Sequence, residues 1–172
     1  MIKIAKFGGS SVANAQQFQK VKTIVHQDPS RRFIVTSAIG KAQSSDHKLT
    51  DLLYLFYAHK RYNVSGEHIL QLIRQRLVTI KQELQLETDI EKELDLFFDQ
   101  LKGSIEEDYL VSRGEYLTAL LLSEYLGFPF VDAKDLIFFH YDGSFNYEKI
   151  QSAFDSLIKT HSSFVLPGFY GA

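Results

Sequence analysis

Apolar positions recur along this chain with two different spacings, and the change from one to the other divides it. Ile2, Ile4 and Phe7 form a short apolar run, and so does Phe33-Ile34-Val35 within Arg32–Ser37, which predicts strands over 2–7 and 32–37. Between them Phe18, Val21, Ile24 and Val25 return at helical intervals, predicting a helix over 15–27 with these four residues on one face. A turn at Asp28-Pro29 then closes a βαβ unit. Residues 38–47 read as a polar, mobile connection. From 49 to 126 the pattern is helical, with helices expected at 49–61, 66–85, 89–102 and 113–126, separated at Asn63, Thr88 and Gly103. Leu94, Phe97, Phe98 and Leu101 mark the third of these as a core helix. Ser112-Arg113-Gly114-Glu115 has the form of a capping box at the start of the fourth, and Gly127 stops it. Strand signals return at 128–131, 136–139 and 163–166, with a turn at Asp142-Gly143 and a helix over 147–160. The predicted fold class is α/β: a largely parallel sheet flanked by helices, with a helical subregion near 49–126.

Composition narrows the function classes. The chain has 172 residues, 45% of them hydrophobic, enough for one domain with a core of ordinary size. Its 19 basic and 21 acidic residues leave a formal charge of −2, which offers no broad electrostatic footprint for nucleic acid or an anionic membrane. The absence of cysteine excludes disulfides, a thiol nucleophile and cysteine-bound zinc. No signal-peptide pattern opens the chain and no apolar run is long enough to span a bilayer, so a cytoplasmic location is expected. The histidines at 26, 47, 59, 68, 140 and 161 lack paired ligand spacing, and no protein metal site is expected.

The chemistry concentrates at the end of the first predicted strand. Gly8 and Gly9 end it, and glycine there permits a turn that side chains forbid and lets backbone N–H groups approach an anion. Ser10 and Ser11 add hydroxyls, and Lys6 adds a positive charge, a set suited to cradling phosphates. Neither G-x-x-x-x-G-K-[ST] nor G-x-G-x-x-G is present, so a simple tight turn competes with this reading. In a parallel sheet, ligands bind beyond the carboxyl ends of the strands. The loops at Gly8-Gly9, Ser37–Gly40, Asp132-Ala133 and Gly168–Gly171 are all expected there, in one crevice.

Lys6-Phe7-Gly8-Gly9-Ser10-Ser11-Val12, Val35-Thr36-Ser37-Ala38, Ser112-Arg113-Gly114-Glu115 and Pro167-Gly168-Phe169-Tyr170-Gly171, in that order and spacing, resemble the aspartate kinases of the amino acid kinase superfamily. The resemblance implies ATP-dependent phosphorylation of the side-chain carboxylate of L-aspartate to 4-phospho-L-aspartate, the entry to lysine, threonine and methionine synthesis. It implies that Lys6 is catalytic and, with Gly8, Gly9 and Ser10, binds the ATP phosphates. Ser37, Thr50 and Glu115 would bind substrate, Glu115 meeting the α-ammonium, and Thr50 matches only if Lys41–Leu49 is an enlarged loop. Magnesium would arrive with ATP. Arg113 is left outside catalysis. Residues 1–172 are expected to be the N-terminal portion of an amino acid kinase catalytic domain, truncated, and homo-oligomeric at full length. Each role has an ordinary competitor: Lys6 as a solvated strand residue, Ser37 and Thr50 as helix caps, Glu115 as the far end of a capping box. Two further functions stay open: another kinase of the superfamily, acting on glutamate, carbamate or uridylate, and a non-catalytic kinase-like binding protein.

Overall fold

The computed structural model describes residues 1–172. Strands β1 (Lys3–Phe7), β2 (Arg31–Thr36) and β3 (Phe164–Pro167) form a parallel sheet in the order β1-β2-β3. Helix α1 (Ala15–His26) makes the first crossover, its start capped by the Asn14 side chain, which accepts from the Gln17 N–H at 3.0 Å. Phe18, Val21 and Val25 bury its apolar face, whereas Ile24, expected beside them, is 43% exposed. The return to β2 is fixed by Asp28, whose carboxylate accepts from the Ser30 amide and hydroxyl.

Helices α2 (Leu49–Arg61), α3 (Glu67–Leu84), α4 (Ile90–Gln100) and α5 (Glu107–Leu126) form the helical subregion. Leu49, Leu53, Ile69, Ile73, Leu77, Ile90, Leu94, Leu110 and Leu117 are all fully shielded from solvent there. They join Phe7, Phe18 and Ile34 from the βαβ unit in one continuous core of 28 buried residues. A second cluster, Phe33, Ala133, Leu136, Phe164 and Leu166, lies under α6 (Tyr147–Thr160), whose Phe154 meets Phe33 edge-on at 5.4 Å. No helix is long and apolar enough to cross a membrane.

Three expectations need correction. Helix α5 starts at Glu107, so Ser112, Arg113, Gly114 and Glu115 lie well inside it and form no capping box. The Ser112 hydroxyl donates back to the Tyr109 carbonyl at 2.6 Å, as an interior helical serine does. The strands expected at 128–131 and 136–139 reduce to isolated bridges, Phe130 with Val165 and Phe139 with Phe145. Pro129 has no amide to donate to a ladder, and Ala133–Asp135 winds into a 3-10 turn beneath the Asp132 side chain. Finally, the connection over residues 38–47 is not polar and exposed throughout, because Ala38, Ile39 and Gly40 are buried, while Lys41–Ser45 and His47 are exposed. Gly127 ends α5 as expected, and does so in the left-handed conformation at φ 70°.

Candidate functional site

The parallel register brings the carboxyl ends of the strands level: Phe7 pairs with Thr36, and Thr36 with Pro167. Ser37 N–H donates to the Phe7 carbonyl at 3.0 Å, and Gly168 N–H to the Thr36 carbonyl at 2.9 Å, so three chain segments leave the sheet side by side. The first becomes a short 3-10 turn, Gly9–Val12, and the second runs through Gly40 towards α2.

These two loops touch through their glycines. Gly40 N–H donates to the Gly9 carbonyl at 2.9 Å. A Cβ on Gly40 would stand 2.4 Å from the Gly9 carbonyl carbon, and one on Gly9 would stand 2.8 Å from the Ala38 carbonyl oxygen. Close backbone approach therefore requires glycine at both positions. The turn itself does not: Gly8 has φ −76°, accessible to any residue, which corrects the expectation that both glycines serve turn geometry. A Cβ on Gly8 would meet nothing within 4 Å.

Beyond the clasp lies a cavity of about 410 Å³, lined by Gly9, Ser10, Ser37, Thr50 and Glu115 together with Ala38, Ile39, Gly40, Lys41 and Lys48. Five of the seven residues singled out in the sequence thus meet at one opening. Lys6 and Gly8 do not line it; both are exposed at the adjoining end of β1. Lys41 and Lys48 were not among the expected site residues, and their only sequence signal is position, flanking a loop that returns to Thr50. Their ammonium groups give the opening a cationic rim.

Glu115 is the group that does not fit a purely structural account. Its residue is 6% exposed, and its Oε2 has no hydrogen-bond partner. Burial pushes its carboxyl above the ordinary glutamate range, against the opposing pull of the Ala38 amide, its own backbone amide and the Arg113 charge. Gly114 makes this placement possible, since even a Cβ there would come within 3.0 Å of the Ala38 Cβ and 3.2 Å of a Leu53 methyl. One turn on, the Thr118 hydroxyl accepts from Ile39 N–H at 3.2 Å and donates to the Gly114 carbonyl at 2.7 Å, fixing the loop against α5.

The other two loops expected in the same crevice open elsewhere. Asp132 lines a cavity of about 210 Å³, and Phe169, Tyr170 and Gly171 line one of about 470 Å³, both shared with Arg113. The Arg113 guanidinium lies 4.6, 4.8 and 4.9 Å from the ring centres of Tyr109, Tyr116 and Tyr170. Tyr170 donates to Asp132 Oδ1 at 2.8 Å, and burial with that carboxylate raises its phenol above the usual range; burial and Glu93 push Tyr116 up to about 12. Nowhere do three or more His, Asp or Glu side chains gather to hold a metal ion.

The chain is similar over its length to several known proteins. The chain is 33% identical to aspartokinase 3 of Bacillus subtilis over 99% of its own length and 40% of that protein's. It is 35% identical to the chloroplastic aspartokinase 2 of Arabidopsis thaliana over 72% of its length and 24% of that protein's. It thus spans about 40% or less of these curated relatives. Among solved structures, the aspartate kinase of Clostridium acetobutylicum superposes with a TM-score of 0.94 at 39% identity, over 99% of this chain and 39% of that one. Escherichia coli aspartokinase III, solved with aspartate and ADP, shares the fold at a TM-score of 0.78 and 22% identity, over 100% of this chain and 41% of that one. The Amino acid kinase family matches residues 1–172 throughout, and the chain belongs to that family.

Proposed function

We propose that this chain forms the aspartate pocket and phosphate loop of an aspartate kinase, with residues 1–172 as the N-terminal portion of its catalytic domain. The observation that carries the reading is Glu115: a buried carboxylate with an unpartnered oxygen, opening into the cavity that Gly9, Ser10, Ser37 and Thr50 also line. A fold does not leave such an acceptor unsatisfied without cost, and an ammonium ligand satisfies it.

Aspartate supplies one ammonium and two carboxylates. Glu115 repels the carboxylates and pairs with the ammonium, which sets the orientation of the substrate. Ser37 and Thr50 offer hydroxyls at the same cavity, and Lys41 and Lys48 draw anions to it. The side-chain carboxylate is ionised at neutral pH and needs no general base. One of its oxygens attacks the γ-phosphorus of ATP, the bond from that phosphorus to the β,γ-bridging oxygen breaks, and ADP leaves with the electron pair. Catalysis is then alignment and charge stabilisation. Gly8, Gly9 and Ser10 serve the phosphates, and the exposed Lys6 ammonium reaches the transferring group from the end of β1. The open space over Gly8 suits close approach of a phosphate to the backbone. Magnesium is carried by the ATP phosphates, consistent with a site that contributes hydroxyls and amides instead of a carboxylate cluster.

The test is substrate competition in the protein that carries this chain. ADP formation that depends on L-aspartate, and is far weaker with L-glutamate or UMP, is the expected result; equal or greater turnover with either competitor overturns the substrate assignment.

A further inference from the structure

Arg76 has no part in the chemistry above, yet it touches both loops that build the site. It projects from α3, where its guanidinium donates to the Gly40 carbonyl at 2.7 Å, to the Ala13 carbonyl at 3.3 Å, and to the His47 carbonyl. Ala13 closes the turn that begins at Gly9, while Gly40 and His47 stand at either end of the loop leading to α2. Its partners are therefore main-chain carbonyls from two segments that would otherwise meet chiefly through the Gly40-to-Gly9 hydrogen bond. Burial lowers the Arg76 pKa and the nearby Asp46 only partly opposes it, since its Oδ2 already accepts from the Ala42 and Gln43 amides at 2.8 and 2.9 Å.

We infer that Arg76 is a positioning residue that staples the Gly9–Ala13 turn to the Gly40–His47 loop, holding the two walls of the site at a fixed separation. The inference rests on the functional reading only for its consequence in turnover; the staple itself is a property of the unliganded fold. A guanidinium suits the task because its planar fork presents several donors at once, whereas an ammonium is a single point. Arg76 also lines a separate open cavity of about 370 Å³ with Ala13, Asp46 and His47, so a small solute can reach its position from outside the site.

The experiment compares wild type, Arg76→Lys, Arg76→Gln and Arg76→Ala in the protein that carries this chain. Amide hydrogen exchange without ligand is expected to quicken in residues 9–13 and 40–47 together in the alanine and lysine variants, while α1 and α5 stay protected. Turnover is expected to fall by about 10²-fold in kcat/KM, as misplaced reacting groups commonly cause, and added guanidinium should partly restore the alanine variant. Wild-type exchange in Arg76→Lys, or faster exchange in only one of the two segments, overturns the staple. If Arg76→Ala does not fold, the lysine and glutamine variants carry the same comparison. Absence of aspartate-dependent turnover in wild type would instead sink the functional reading and leave the exchange result standing.

Discussion

Under the proposed function Glu115 should make opposite contributions to stability and to binding, and both can be measured on one side chain. Its carboxyl is pushed up by burial, so the native state keeps a proton over a pH range in which the unfolded chain has lost it. Stability attributable to this group is therefore greatest below the ordinary glutamate range and declines as pH rises through the raised value. Glu115→Gln removes the charge and should flatten that decline, raising Tm at pH 7 by about 2–4 °C for each kcal/mol recovered. Thermal melts from pH 4 to 8 check this, and a variant whose Tm drops at neutral pH would show that the carboxylate is satisfied after all. Binding moves the other way. Losing a charge-assisted hydrogen bond of about 1.5–3 kcal/mol should weaken aspartate by about 10- to 150-fold. In wild type the affinity should also fall on acidification towards the raised pKa, and calorimetry at several pH values should find that dependence missing from Glu115→Gln.

At the scale of the elements, two neighbouring glycines make unlike demands. Gly40→Ala drives a methyl into the Gly9 backbone, which has no flexible end to yield, and should cost about 1–3 kcal/mol, read as a lower denaturation midpoint. Gly8→Ala meets no atom and has an ordinary φ, so its midpoint should match wild type while the KM for ATP rises. Equal destabilisation by both, or an unchanged KM for the second, would remove Gly8 from the phosphate loop. The motif Gly8-Gly9 announced a special turn, but could not tell which glycine serves the fold and which is free for a ligand, because the deciding contact comes from Gly40, distant in the chain. Helix α5 departs from its sequence pattern for a related reason. Its start at Glu107 is preceded by Glu106, which makes no side-chain cap, whereas Ser112 and Glu115 happen to have capping spacing within the helix. What periodicity reports well is long apolar faces: α2 and α6 begin and end where the pattern places them. What it misses is contact between a side chain and distant main chain. Arg76 reads as one more solvated helix charge until its three carbonyl partners are seen, and Thr118 as a filler until its hydroxyl is found on Ile39.

For the molecule as a whole, the distribution of the core decides whether the helical subregion is a separate unit. The 28 buried residues run without a break from Phe7, Phe18 and Ile34 beside the sheet to Ile73, Leu94 and Phe97 among the outer helices. Helix α5 is the joint: it packs against α1, α2, α3 and α4 as well as β2 and β3, and buries residues around most of its circumference. Sheet and helices should accordingly unfold together. Leu77 lies on α3, outside the sheet, and is fully buried, so Leu77→Ala creates a cavity expected to cost about 2–5 kcal/mol. Because the core is continuous, that loss should appear at the same denaturant concentration in helix-dominated far-ultraviolet circular dichroism and in the exchange protection of β1 and β2 amides. A helical transition that precedes loss of sheet protection would instead make 49–126 an independently folding unit. Cooperative unfolding has a consequence for the site as well. Gly9 and Ser10 stand on the sheet side and Arg76, next in the chain to Leu77, on the outer helices, so under the proposed function a core defect at Leu77 should raise the KM for both substrates before the protein melts.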